Sequence, residues 1–294
     1  MEPLSLRTRR VFASVSFILF LIILPIAGLY ASGYRLSGFS LVSTGGIHIS
    51  APLSGTSISL NAEELERTSL FSKTFFFDNL TPGSYVIQAE TEGYYPWSKT
   101  LVVESRLVTD VSVLSIPQPV RLFELTQATS TLASVDALST TSTTQLISAD
   151  DYAVIADVFA TTTPTLKNTG TSTEEQVSPS VDIESGVGLV IEDGDLLVRW
   201  ERNSNPPSSF CTRPSLCVTH FFIERTPQTV TDAEFFGGGV IYRTEESGVM
   251  LSEVDIRQPR LVVSIYSDPQ ASFRIIDGTL YIKDGETIYR VEGF

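Results

Sequence analysis

Few residue types in this chain could carry chemistry. Cys211 and Cys217, the two cysteines, flank Thr-Arg-Pro-Ser-Leu. In an oxidising compartment that spacing predicts a disulfide closing a hairpin loop, and loop entropy gives so short a closure about 2–3 kcal/mol. A redox pair calls for closer spacing, and a zinc site for about four ligands. The two histidines, His48 and His220, fall in different halves of the chain, so we expect strand residues with ordinary partners and no metal. Asp232, Glu234, Glu245, Glu246, Glu253 and Asp255 crowd one stretch. Hydrolysis by paired carboxylates needs two of them at a defined separation in a cleft. Solvated surface is the first reading and calcium the second, since clustered oxygens suit that ion. Gly237-Gly238-Gly239 has no helical pattern after it, so it reads as a turn rather than a phosphate cradle. The sequence contains no nucleophile elbow, phosphate loop or zinc-helix motif, and we expect neither a cofactor nor catalysis. Tyr94, Tyr95 and Trp97 read first as packing residues and second as a candidate binding surface. Asn79-Leu80-Thr81 fits the N-glycosylation pattern.

The elements around these residues must bury a core. The chain has 294 residues, 42% hydrophobic and 10% aromatic, enough for two domains. Its net charge is −14; three arginines against one glutamate make residues 1–10 net +2, which leaves −16 for the remainder. A body that acidic repels phosphate backbones, and no basic run offers a nucleic-acid track, so nucleic acid is excluded as a partner.

Val11 to Ala31 is an uncharged apolar run. About 20 such residues span the hydrocarbon layer as a helix, and Pro25 is tolerated in one. Arg7, Arg9 and Arg10 precede the run, which predicts a cytoplasmic tail (1–10), a transmembrane helix (11–31) and an extracytoplasmic body. Tyr30 and Tyr34 would sit at the outer interface. A cleaved signal peptide ending near Ala31-Ser32-Gly33 is the rival, disfavoured because the run exceeds the usual 7–15 residue core of such peptides.

From Ser43 to Pro117 apolar residues alternate in short runs: Ile47 and Ile49, Ile58 and Leu60, Phe75 and Phe77, Tyr85, Ile87 and Ala89, Leu101 and Val103, Val111 and Val113. Turn signals separate them, among them Pro82-Gly83 and Gly93, so six or so strands with one buried face each are expected. Asn61 to Lys73 reads as a polar excursion at one edge. The order Pro82-Gly83, strand, Gly93-Tyr94, strand resembles the second half of the PEGA domain, a small β-sandwich of prokaryotic envelope and surface proteins. The resemblance runs from Gly45 to Ile116. Its opening turn corresponds to Pro52-Leu53-Ser54-Gly55-Thr56, one residue longer than the family pattern and without the alanine, and Asn61-Ala62-Glu63 replaces the usual Asp-Gly hairpin. It implies a PEGA-like β-sandwich over 43–117 that acts as a spacer or binding module, with no catalytic residues to carry over.

Residues 118–294 are interrupted by Ser/Thr-rich tracts at 126–145 and 161–181, expected as long loops or linkers. A weak repeat runs through the rest. Asp193-Gly-Asp-Leu-Leu-Val-Arg-Trp200, Gly237-Gly-Gly-Val-Ile-Tyr-Arg-Thr244 and Asp277-Gly-Thr-Leu-Tyr-Ile-Lys-Asp284 resemble one another, with an earlier copy at Asp151-Tyr-Ala-Val-Ile-Ala156. Partner strands are expected at Cys217 to Glu224, Gly248 to Ile256 and Glu286 to Val291. A period of 40–45 residues is that of propeller blades, and a plain stack of antiparallel hairpins fits it too.

The chain is therefore expected to be all-β behind one transmembrane helix: a small sandwich, then an antiparallel meander or propeller-like region. The expected function is that of a single-pass cell-envelope protein, its extracytoplasmic β-domains binding a surface protein or glycan or holding structure. The alternative is an envelope polysaccharide hydrolase carried on the C-terminal β-domain.

Overall fold

The computed structural model describes residues 6–37, 40–67, 73–127, 144–161, 180–182, 186–225 and 227–294. It is mostly strand, with one long apolar helix at the N-terminus. That helix runs Leu6–Ala31 with Pro25 inside it. Its segment Arg10–Ala31 has a mean hydropathy of 2.6 and is 0% buried, long and apolar enough to cross a membrane. Gly33 ends it with φ +76°, a left-handed conformation that costs a glycine little. Thr44 then donates to the Gly33 carbonyl through both its backbone N–H and its Oγ1 (2.7 Å each), tying the helix end to the β-body across the hairpin Tyr34–Ser37/Ser40–Ser43.

The first β-region is built as the alternation predicts. Strands Thr74–Leu80, Gly45–Ser50 and Val108–Ser112 form one sheet in that order. Glu63–Arg67, Ser57–Leu60, Gly83–Glu90 and Trp97–Val103 form the other. Gly45–Ser50 pairs antiparallel with Thr74–Leu80 but parallel with Val108–Ser112. Ile47, Ile49, Phe75 and Val111 from one sheet and Ile58, Ile87, Leu101 and Val103 from the other meet in a single apolar cluster. Part of the predicted polar excursion is the strand Glu63–Arg67, paired along Ser57–Leu60; residues 68–72 of that stretch lie outside the described residues.

Three further sheets make up most of the rest. Ser180–Asp182, Val187–Glu192, Asp195–Trp200 and His220–Glu224 form an antiparallel four-stranded sheet, as do Val230–Phe236, Gly239–Thr244, Gly248–Glu253 and Val262–Tyr266. Ser272–Ile276, Thr279–Asp284 and Thr287–Glu292 continue into Arg121–Gln127, so the region's first strand pairs antiparallel with its last. Thr144–Ile147 adds to Arg121–Gln127 in parallel. Each sheet is open, since no pairing among the described residues joins its two edges.

Two expectations change here. The fourth copy of the repeat, Asp151–Ala156, lies inside an α-helix, Ala149–Thr161. Ser148 caps it: its Oγ accepts from the Asp151 N–H (3.1 Å) and donates to the Asp151 carboxylate (2.7 Å). Tyr152, Ile155, Ala156 and Phe159 then share one face and cover Leu125 and Ile288. The spacing of three and four residues outweighs a six-residue likeness to a strand. The Ser/Thr tracts lie largely outside the described residues, but Thr126, Gln127, Thr144 and Gln145 at the margins of the first are strand residues.

The apolar interior does not stop at the end of the first region. The cluster that holds Ile47, Trp97 and Ile116 also holds Phe236, Ile241, Leu251, Ile265, Phe273 and Ile282.

Candidate functional site

Among the described residues, the buried charged side chains, Lys99, Glu253, Asp255 and Arg257, all lie at the seam between the two regions. In Trp97–Val103 every second residue is buried: Trp97, Lys99, Leu101 and Val103. Period-two geometry puts Lys99 on the core face between two apolar neighbours, and it is 0% exposed. A lysine there requires a countercharge. Glu253, 154 residues later at the end of Gly248–Glu253, supplies it: Lys99 Nζ donates to Oε2 at 2.6 Å, and Trp97 Nε1 donates to Oε1 at 3.0 Å. A second Lys99 proton goes to the Arg257 carbonyl at 3.2 Å, and Thr100 N–H donates to the Gln258 carbonyl at 3.0 Å. Both oxygens of the buried glutamate are thus occupied by donors from the first region.

Next to it, Asp255 and Arg257 form a second buried pair. Arg257 Nε reaches Asp255 Oδ1 at 2.8 Å and Nη2 reaches Oδ2 at 2.5 Å, a two-pronged arrangement that fixes the guanidinium plane. Its remaining prong, Nη1, donates to the Asp110 carbonyl on the edge strand of the first region at 3.0 Å. Arg260 passes beneath, donating to the carbonyls of Asp255 (3.0 Å) and Ile223 (2.7 Å), and burial pulls its pKa below the usual arginine value. Along the alternating series Glu253, Asp255 and Arg257, all three side chains are therefore buried.

Above these pairs lies an open cleft of about 950 Å³ between the regions, in the size range of small-molecule sites. Tyr94 and Leu114 form its apolar wall on one side, with Phe235, Phe236 and Phe294 on the other. Asp110, Ser208, Ser209, Asp255 and Arg257 give it a polar side. The Gly237–Gly239 turn packs against Leu114 and Phe294 here. A Cβ on Gly239 would fall 2.6 Å from the Ser252 carbonyl oxygen, so the close strand approach at that wall admits no side chain. Gly237 and Gly238 form a turn, as their context predicts, and Gly239 opens the strand that follows.

The residues singled out from the sequence separate sharply. Tyr94 lines the cleft. Tyr95 is half-buried, packs on the apolar cluster and has its N–H bonded to the Ile116 carbonyl at 2.8 Å. Trp97 is 1% exposed and belongs to the seam, which removes it from the candidate binding surface. The reason is register: Trp97 shares the inward face with Leu101, and its indole N–H finds a buried carboxylate there. The disulfide Cys211–Cys217 is formed. His48 Nδ1 lies 2.5 Å from Asp110 Oδ1, a cross-strand pair at the lip of the cleft, while His220 is exposed beside the Thr219 hydroxyl.

Of the clustered carboxylates, Glu253 and Asp255 are buried in the two pairs and Glu245 is exposed. Asp232 meets Arg274 Nη1 at 3.0 Å, and burial raises its pKa despite that partner. Glu246 accepts from the Thr229 N–H at 3.0 Å. Among the described residues no three His, Cys, Asp or Glu side chains come together as a metal site.

Sequence reasoning did not single out Lys99 or Arg257. The signal for Lys99 was present: a charge inside Trp-x-Lys-x-Leu-x-Val, on the apolar phase of an alternating strand, demands a partner. No protein-family model matches the chain, and no curated protein matches it.

Proposed function

We propose that this chain is a single-pass, membrane-anchored envelope protein whose β-body lies outside the membrane and binds a surface polymer, glycan or polypeptide, in the cleft between its two regions. One observation carries the reading. A fully exposed apolar helix of membrane-spanning length is attached to a strand-built body whose two regions are locked together around an open, aromatic-walled cleft. Arg7, Arg9 and Arg10, in the helix's first turns ahead of the apolar run, favour a cytoplasmic N-terminus, and a formed disulfide suits an oxidising exterior. The PEGA resemblance of residues 45–116 points the same way, toward a spacer or binding module. The three largely antiparallel sheets of residues 121–294, with Arg121–Gln127 paired to Thr287–Glu292, form blade-like units of a short propeller-like array.

The cleft favours binding over hydrolysis. Asp110 is engaged by His48 and Ser208, Glu253 by Lys99 and Trp97, and Asp255 by Arg257. A glycosidase acid needs a carboxyl held protonated, without a cation on it.

Two measurements test the reading. Protease added to intact cells should digest the β-body while sparing the helix; a body protected until lysis overturns the assignment to the outside. The full chain in detergent should retain a defined envelope polymer, with Tyr94→Ala lowering retention at least tenfold. Equal retention by Y94A removes the cleft as the binding site, and release of sugars from the polymer replaces binding by hydrolysis.

A further inference from the structure

We propose that the Cys211–Cys217 hairpin is a thiol-sensitive clasp that fastens one wall of the cleft to the first β-region. The hairpin joins Cys211–Arg213 to Leu216–Cys217. Its tip reaches across the seam to Glu104, 111 residues earlier in the chain. Ser215 donates to that carboxylate twice, from its backbone N–H to Oε2 at 2.8 Å and from its Oγ to Oε1 at 2.7 Å. Arg213 Nε stands 3.8 Å from the same group. One carboxylate therefore receives the whole tip of the loop.

The root of the hairpin is the cleft wall itself. Ser208–Phe210 forms a single 3₁₀ turn leading directly into Cys211, and Ser208 and Ser209 face the cleft. Ser208 Oγ lies 3.4 Å from Asp110 Oδ2, Ile256 N–H donates to the Ser209 carbonyl at 2.9 Å, and Val218 N–H donates to the Phe210 carbonyl at 3.0 Å. Phe210 is fully buried against Phe221. The wall is thus pinned at its root by packing and at its tip by Glu104, with the disulfide fixing the distance between them.

The two sulfurs differ in access. Cys211 is buried and Cys217 exposed, so a thiolate attacks Cys217 Sγ and expels Cys211. The second thiol of the same dithiol then attacks the mixed disulfide. The dithiol leaves as a disulfide, and its two electrons and two protons end on Cys211 and Cys217 as free thiols. Cys211 Sγ lies 3.5 Å from the Pro207 carbonyl oxygen, so the new S–H has an acceptor in place. With the crosslink cut, the loop regains part of the freedom that closure removed. Phe210 and the Val218–Phe210 bond still hold its root, so the loss in holding both Ser215 donors on Glu104 has a ceiling of about 50-fold, the full loop-entropy figure. Cys211–Arg213 runs beside Trp97–Val103, but the Lys99 ammonium bonds Glu253 and the Arg257 carbonyl rather than the hairpin, so that pair holds the regions together throughout. The clasp stands on its own contacts, whatever occupies the cleft.

The test is hydrogen exchange resolved to single amides, on the full chain in detergent, oxidised or reduced with a small dithiol. Reduction should speed exchange of the Ser215 amide severalfold, with about 50-fold as the ceiling, and of the Ile256 amide severalfold, leaving Thr100, bonded to Gln258 in the seam, unchanged. Glu104→Ala with the disulfide intact should speed Ser215 as well, and later reduction should then add little at that amide. Equal exchange of Ile256 in the two redox states overturns the clasp and leaves a local staple. Loss of Thr100 protection on reduction overturns it too, because the disulfide would then hold the whole body rather than one wall.

Discussion

The two regions of the β-body are joined twice, and the two joints are opposite in kind. At the seam, Lys99 and Glu253 are 0% and 5% exposed at their side chains, with no solvent to share the charge. At the hairpin, Glu104 and Arg213 are 22% and 52% exposed, and the contact rests on hydrogen bonds to a surface loop. The difference teaches where conformational freedom can reside. A buried ion pair gains little over apolar packing when intact but is costly to leave half-made. An exposed contact costs little to break and can serve as the adjustable joint.

Mutations can break that contrast. Glu253→Ala strands Lys99 in the core and leaves the Trp97 indole N–H without its acceptor, so urea denaturation should show a loss of about 3–5 kcal/mol. The double variant Lys99→Met/Glu253→Leu should recover most of that loss, because no isolated charge remains; a double variant as unstable as E253A would assign the seam to packing rather than charge. Arg257→Ala comes next. It leaves buried Asp255 without its cation and uncaps the Asp110 carbonyl, for about 2–4 kcal/mol by the same measurement. Glu104→Ala at the exposed joint should cost about 0–1 kcal/mol. A larger loss there would erase the distinction between the joints.

The smallest effect sharpens the comparison through pH. Asp232 also meets an arginine, yet burial raises its pKa above the usual aspartate value. A carboxyl whose folded pKa exceeds its unfolded one binds its proton more tightly in the folded state, so it favours folding at low pH. That contribution is fully present below the unfolded aspartate value and is lost as pH rises through the raised one. In wild-type protein, thermal stability should therefore fall slightly across that window; Asp232→Asn should flatten this portion of the profile, as followed by melting temperature against pH.

Much of the architecture was legible residue by residue. The apolar run inside the helix Leu6–Ala31, the alternation at Ile47, Ile58, Phe75, Ile87 and Leu101, and the strands of the three-copy repeat are all local patterns; the strands lie where those patterns predict, while the helix begins at Leu6, inside the expected tail of residues 1–10. At the helix Ala149–Thr161 the likeness to the repeat suggests a strand instead, although Ser148-Ala-Asp-Asp151 and the spacing of Tyr152, Ile155, Ala156 and Phe159 carry a helical signal. The short apolar run Tyr152 to Ala156 suits either period, and the helical one prevails because its face has Leu125 and Ile288 to cover. The site was less legible. Tyr94 and Trp97 lie three residues apart, yet one lines the cleft and the other is sealed under it.

What the sequence alone determined is therefore what hydropathy and period can encode: an apolar span, strands with one buried face, turns, and a cysteine pair close enough to close a loop. Tertiary structure decided that Lys99 meets Glu253, that Arg257 reaches Asp110, and that Ser215 lands on Glu104. Those contacts join residues 111 to 154 positions apart. Local pattern sets which way a side chain points from its strand; only the docking of one sheet against another sets what it finds there.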